Sequence, residues 1–316
     1  MKKILITGAT GFIGQNLLHK LVELNFSVCI AARSFNPFPI NNIHKSFSID
    51  DVGPETNWRD SLDKVDCIIH CAGKSHDMNK RKNSEIYRMV NTEGTKRLAQ
   101  QAAELGVKRL VFLSSIKVNG ESTGKLHKNN TFTYNDIPDP KDAYSISKLE
   151  AEKELWKISN TTGLEVVVVR LPLVYGLGAK GNLFRLMKLI NFGIPLPFKL
   201  INNQRSLIGI DNLIDILVRC IDHPNAKDKT FLVSDGDDIS TPDLIRKIAA
   251  EMNLPTRLFP FPLIILKLFC FFIGKSREID RLMGSLKVDI NYTKETLDWK
   301  PPVSVIDSIS RMVKGR

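Results

Sequence analysis

Two periods of apolar residues alternate along the first half of the chain. Short strand-like runs recur near residues 3–7, 27–32, 45–49, 66–71, 108–114 and 164–170. Between them apolar side chains return every three or four positions, as Ile13, Leu17, Leu18 and Leu21 do. That spacing predicts helices near 12–24, 83–104 and 142–160. Strands alternating with helices predict an α/β fold around a doubly wound parallel sheet. After Arg170 the pattern loosens, interrupted by Pro195, Pro197, Pro242, Pro255, Pro260 and Pro262, as expected of a smaller lobe. Ser240-Thr-Pro-Asp243 predicts a helix start, with a capping hydroxyl, a proline suited to the first turn and an acid facing the helix dipole. No internal repeat or low-complexity segment is visible.

The junction between the first strand and the first helix carries the first chemistry. It reads Thr7-Gly-Ala-Thr-Gly-Phe-Ile-Gly14, so Gly8, Gly11 and Gly14 bridge an apolar strand and a helix N-terminus. Small residues there let the backbone approach a pyrophosphate while the helix amides receive its charge. The spacing differs by one residue from the G-x-G-x-x-G fingerprint, and a tight turn that uses glycine only for packing is the alternative. Well downstream, Tyr144-Ser-Ile-Ser-Lys148 places a phenol and an ammonium on one helix face. A cation near the phenol is expected to lower its pKa from about 10 and ready it for proton transfer. Ser115 follows an apolar strand and is expected at the carboxyl edge of the sheet, where such sheets bind ligands.

These motifs, with Ser114-Ser115, Arg170-Leu-Pro-Leu-Val-Tyr-Gly176 and Leu297-Asp-Trp-Lys-Pro-Pro302, resemble the extended short-chain dehydrogenase/reductases of the NAD-dependent epimerase/dehydratase family. The likeness runs nearly the whole length and is nearest to bacterial UDP-sugar 4-epimerases and UDP-N-acetylquinovosamine-forming 4-ketoreductases. It implies a Rossmann-type dinucleotide domain over residues 1–170, with 205–224 returning to the core, and a smaller C-terminal α/β substrate lobe over 171–316. It also implies a catalytic set of Ser115, Tyr144 and Lys148, with Ser115 bonded to the sugar oxygen that becomes a ketone. Gly8, Gly11, Phe12, Ile13, Gly14, Ala72 and Gly73 would line the cofactor, with Tyr144 and Lys148 reaching it. Asp50 or Asp51 would meet adenine. In the lobe, Asn182, Arg205 and Arg281 or Arg277 would hold the diphosphate, and Pro195-Leu-Pro-Phe198 the uracil. Asn91 resembles an asparagine that steadies the active-site helix.

Two places discriminate within the family. The second strand ends Ala31-Ala32-Arg33-Ser34 with no acid before Asp50. An NAD enzyme usually places an acid there, whereas an arginine can pair with a 2′-phosphate. NADP(H) is therefore expected, with NAD(H) the alternative. After Ser115, where 4,6-dehydratases carry Asp-Glu, this chain has Ile116-Lys117, so dehydration is not expected. Fresh NADPH suits reduction of UDP-2-acetamido-2,6-dideoxyhexos-4-ulose at C4, a step of surface-polysaccharide synthesis. The alternatives are a UDP-hexose 4-epimerase that retains NAD and, in another class, a non-catalytic dinucleotide-binding regulator. Intact Ser115, Tyr144 and Lys148 argue against the regulator.

Composition changes this picture little. A formal net charge of +11 would suit nucleic acid, but no basic stripe interleaved with aromatics is present. Two anionic ligands and a solvated surface account for it. Cys29, Cys67, Cys71, Cys220 and Cys270 sit in apolar segments without paired spacing, as expected of buried thiols in a reducing, cytoplasmic setting. The first strand begins almost at Met1, so no leader is expected. No His/Cys/Asp cluster has metal spacing, and the lone His76 reads as surface. Leu258–Ile273 is the one greasy stretch. It is shorter than the roughly 20 residues of a membrane span and contains Pro260, Pro262 and Lys267. Burial as a helix of the second lobe is expected there, ahead of peripheral contact with a membrane. A homodimer is left open.

Overall fold

The computed structural model describes residues 1–33, 44–75, 83–124, 130–179 and 181–315. The chain opens with β1 (Lys3–Thr7), α1 (Phe12–Glu23), β2 (Ser27–Ala32), β3 (Lys45–Ser48), α2 (Arg59–Leu62) and β4 (Cys67–His70). α3 (Asn83–Tyr87) and α4 (Gly94–Glu104) follow, then β5 (Arg109–Ser115), α5 (Ala143–Thr162) and β6 (Glu165–Leu171). Beyond these come β7 (Leu173–Tyr175), α6 (Asn182–Asn191), β8 (Leu207–Gly209), α7 (Ile210–Cys220) and β9 (Lys229–Leu232). The remaining helices are α8 (Thr241–Glu251), α9 (Leu263–Phe272), α10 (Ser276–Met283), α11 (Asn291–Leu297) and α12 (Val305–Lys314).

Seven strands form one parallel sheet in the order β3-β2-β1-β4-β5-β6-β9. Successive side chains of a strand point to opposite faces, and each face buries its own core. Ile4 and Ile6 pack with Leu17, Leu18 and Leu21 of α1 and Leu213, Ile216 and Leu217 of α7. Leu5 packs on the other face with Leu98 and Ala102 of α4 and Ala151 and Leu155 of α5. This is the Rossmann-type sheet expected from the sequence. β7 and β8 pair in a small parallel sheet of their own, and α6, α8 and α12 contribute to a third apolar cluster around Tyr175 and Ile309. The edge strand β9 lay outside the sequence expectation.

Two helices differ from their prediction. The single helix expected over 83–104 widens into a π-helical turn at Arg88–Glu93, the kind of insertion that re-aims side chains at functional sites. The greasy stretch does form a helix, α9, once Pro262 is passed, but it is not buried. Leu266 is its one buried residue, whereas Ile264, Phe269 and Phe272 are exposed. Its hydrophobic composition predicted a cover that no described element supplies.

Candidate active site

The chain winds outward from β1 to β2 and β3 on one side, and from β4 through β5 and β6 to β9 on the other. A crevice therefore opens between the carboxyl ends of β1 and β4. Gly8 occupies it with φ +70°, and a Cβ there would come within 2.7 Å of the Ala72 backbone nitrogen. A Cβ on Gly14 would overlap the Gly8 carbonyl, so both glycines are required by close approach. Gly11 precedes α1 as its N-cap, with no side-chain cap and no acid in the first turn, leaving the first amides to an anion. Phe12 and Ile13 are the first residues of α1. This cradle fits the pyrophosphate of a dinucleotide.

The turn is locked from beneath by a residue the sequence reading passed over. His70 closes β4 and is fully buried, its Nδ1 2.7 Å from the Thr7 hydroxyl and its Nε2 3.0 Å from that of Thr95. Burial, with the nearby Lys148 charge, pushes its pKa down to about 3, so it is a neutral strut. A buried histidine ending an apolar strand was the available signal. Beyond it, a Cβ on Gly73 would stand 3.1 Å from Asn91 Oδ1 and 3.3 Å from Lys148 Nζ. The exit of β4 thus lies directly against the lysine of the tyrosine–lysine pair.

Arg33 follows β2 at the surface, with its guanidinium 3.6 Å from the Asp51 carboxylate. Asp51 in turn accepts the Val52 amide at 2.8 Å, and Asp50 is exposed beside it. The end of β2 lacks an acid in the linear sequence but has one in space, which corrects the expectation of an unopposed arginine.

α5 carries the candidate reacting groups. It starts with a capping box in which Asp142 accepts the Ser145 amide at 2.8 Å while Ser145 Oγ accepts the Asp142 amide at 3.1 Å. Tyr144 in its first turn lies beside Ser115 at the end of β5; burial pushes the phenol up to about 12, although the Ser115 hydroxyl works to lower it. The Asp142 and Tyr87 charges push the same way as burial. Tyr87 meets the Tyr144 ring edge-on at 6.1 Å between centroids. Lys148 is buried; its Nζ donates to the Leu113 carbonyl at 2.9 Å and lies 4.4 Å from the Phe112 ring centroid. Burial lowers its pKa to about 8, opposed by Glu152 and Cys71. The expected lowering of the phenol by this ammonium is thus absent: burial wins, and the lysine faces the backbone of β5.

Lys117 stands at the site in a role its sequence position did not suggest. Its Nζ lies 2.8 Å from Asp142 and 5.7 Å from the Tyr144 ring centroid. Burial of Asp142 works to raise its pKa, but Lys117 and the Ser145 hydrogen bonds outweigh it and hold the carboxyl below its ordinary value. Asn91, on the π-helical turn, donates to Ser147 Oγ on α5 and to the Lys74 carbonyl, both at 3.0 Å, and accepts the Lys74 amide at 2.8 Å. Behind the site, Glu152 accepts from Ser114 and from two nitrogens of Arg170, whose Nη1 donates to Asn119 at 2.9 Å. This buried network ties α5 to β5 and β6.

On the lobe side, Arg205 donates to the carbonyls of Arg281 and Gly284 at 2.6 and 3.0 Å. Burial and the neighbouring Arg281 charge lower its pKa. Arg281 itself reaches Glu121 at 2.9 Å and Asp142 at 3.3 Å. The structure therefore brings Arg205 and Arg281 together beside the start of α5. Asn182 is the exposed first residue of α6, and Phe198 packs against the lobe cluster. The Arg277 side chain and His76 lie outside the described residues. Among the described residues no group of three His, Cys, Asp or Glu is placed to hold a metal.

Comparison with known proteins follows the same lines. The model of the NAD dependent epimerase/dehydratase family matches residues 4–234. A UDP-glucose 4-epimerase of Vibrio cholerae is 43% identical over 99% of this chain and 95% of its own length. An N-acetyl-alpha-D-glucosaminyl-diphospho-ditrans,octacis-undecaprenol 4-epimerase of Escherichia coli O157:H7 is 25% identical over 85% of this chain and 78% of its own. Among solved structures, MoeE5 in complex with UDP-glucose and NAD superposes with a TM-score of 0.79 over 99% of this chain and 97% of that one, at 20% identity.

Proposed function

Since this chain belongs to the NAD dependent epimerase/dehydratase family, we propose that it is a UDP-hexose 4-epimerase that keeps its NAD through the catalytic cycle. The observation that carries this reading is the placement of Tyr144 beside Ser115 at the carboxyl edge of the sheet, where the serine hydroxyl favours the ionised phenol, in a chain so similar along its length to the Vibrio cholerae epimerase. Bound NAD would supply a reversible hydride acceptor. Gly8, Gly11 and Gly14 would hold its pyrophosphate against the α1 amides. Lys148 would donate to its ribose, and Asp51 would lie near the adenosine end. Ser115 would hold the C4 oxygen, and Tyr144 would take the C4 hydroxyl proton and later return it. Burial keeps that phenol protonated in the free chain, and the Ser115 hydroxyl is the neighbour that favours its ionised form.

Reduction of a 4-keto sugar, the reading favoured by sequence pattern, rested on Arg33 and NADPH. The Asp51 carboxylate beside Arg33 removes most of that support, because an acid at this place repels a 2′-phosphate and suits a 2′-hydroxyl. Incubation with UDP-glucose separates the two. An epimerase forms UDP-galactose with no net change in nicotinamide absorbance; a reductase leaves UDP-glucose untouched and consumes NADPH only with a 4-keto sugar. A second substrate reading comes from the Escherichia coli relative, whose named substrate is a sugar diphosphate on a polyprenol. The apolar α9 helix, which packs on α10 next to the site, favours it. Faster epimerisation of a polyprenyl-diphosphate N-acetylhexosamine than of any UDP-hexose would select that reading.

A further inference from the structure

Helix α9 presents an apolar surface that nothing described covers. Ile264 is 82% exposed, Phe272 76% and Phe269 60%, with Ile265, Leu268 and Phe271 also exposed. Large side chains gathered on one short helix in this way are not ordinary monomer surface. The apolar area continues on a neighbouring segment. Leu196 bridges to Leu258, its amide donating to the Arg257 carbonyl at 2.8 Å and its carbonyl accepting the Phe259 amide at 3.1 Å. This brings the loop after α6 beside the approach to α9, and Phe192 in that loop is 74% exposed.

Charge identifies the occupant. Residues 182–204 and 252–276 contain Arg185, Lys188, Lys199, Arg257, Lys267 and Lys275, and not one Asp or Glu, in a chain holding 34 acids elsewhere. Arg257 donates to the Gly193 carbonyl at 3.0 Å, which satisfies a donor without cancelling the charge. Lys267 is the exception, since Asp280 on α10 lies 3.2 Å from it. A second copy laid on this face would set like charges against each other, which opposes self-association. An anionic bilayer surface meets both features, taking the apolar side chains into its acyl boundary and the basic heads at its phosphates. At 10 residues α9 extends only about 15 Å, half of a bilayer's hydrocarbon thickness. No helix among the described residues is long and apolar enough to cross a membrane. We propose that α9, with the basic residues of these two segments, docks the protein onto the surface of a membrane containing anionic phospholipid.

The proposal does not depend on which sugar is the substrate, and vesicle flotation without substrate tests it. The full-length protein should float with vesicles of phosphatidylcholine mixed with phosphatidylglycerol, and much less with phosphatidylcholine alone. Ile264→Ser with Phe272→Ser should cut the floated fraction at least about tenfold, given what burying such side chains contributes. Because both side chains are exposed, the thermal melting curve should not move. Lys199→Glu with Lys275→Glu should abolish the preference for phosphatidylglycerol, and raised salt should weaken it in the wild type. Wild-type protein that stays unbound with the mixed vesicles, or an apolar double variant that floats as well as wild type, overturns the proposal. A dimer that the apolar variant splits, with no flotation, assigns the face to a second copy and overturns it equally.

Discussion

At the scale of single residues, the tyrosine and lysine are placed by α5 but tuned by what surrounds them. Tyr144→Phe removes the hydroxyl beside Ser115 and little else. Turnover should fall by roughly 10²–10⁴-fold, the scale of a positioned acid–base group, with NAD binding within a few-fold of wild type by fluorescence titration. Near-normal turnover would take Tyr144 out of the reaction. Lys148 makes a separate, pH-dependent prediction. Its pKa of about 8 lies below the ordinary lysine value, so the ammonium is present under neutral conditions and shed as pH rises through 8. If it donates to the cofactor ribose, affinity for NAD should decline across that interval, and Lys148→Met should bind weakly with no such decline. A flat profile in the wild type would sink the assignment. The positions of Ser115, Tyr144, Lys148 and the three glycines at the sheet edge were legible in the sequence because each is announced by local spacing. Their electrostatics were not, because burial and the direction of the Lys148 side chain depend on β5 and Phe112.

At the scale of elements, the strands β1 to β6 and the helix α5 lie where the periodicity puts them, because buried strands and amphipathic helices write their burial into neighbouring residues. What binds the elements together is not written locally. Glu152 and Arg170 look like ordinary charges, yet both are almost fully buried and meet at 2.6 Å. With Ser114 and Asn119 they join α5, β5 and β6 behind the candidate site. Glu152→Gln keeps the volume but leaves the Arg170 guanidinium buried without its counter-charge, so stability should fall by about 3–5 kcal/mol. Adding Arg170→Met should return a substantial part of that loss, since the unpaired charge is then gone. Urea denaturation of the two variants tests this, and a single variant as stable as wild type would show that solvent reaches the pair. α9 is the opposite case. Its composition predicted burial, but composition cannot say whether a partner surface lies within the same chain.

At the scale of the whole molecule, the parallel order β3-β2-β1-β4-β5-β6-β9 places the turns that follow β1, β4 and β5 at one sheet edge. The alternation of strands and helices made that class of fold readable. The edge strand β9 and the Arg33–Asp51 approach were not, since both join segments distant in sequence. That approach decides the last prediction. A ligand that binds only the folded state stabilises it by RT ln(1 + [L]/Kd), about 2.7 kcal/mol at a hundredfold excess over Kd. Protein stripped of nicotinamide should therefore melt several degrees lower than the same protein returned to NAD, and NADP should restore less of the shift than NAD at equal concentration. The Asp51 carboxylate is the cause assigned to that difference, so Asp51→Asn should narrow it and Arg33→Ala should widen it, because the arginine is then no longer available to a 2′-phosphate. Thermal melts of the three proteins with each dinucleotide measure this directly. A wild type stabilised more by NADP than by NAD would return the reductase reading to first place and leave the fold and the Ser115–Tyr144–Lys148 set untouched.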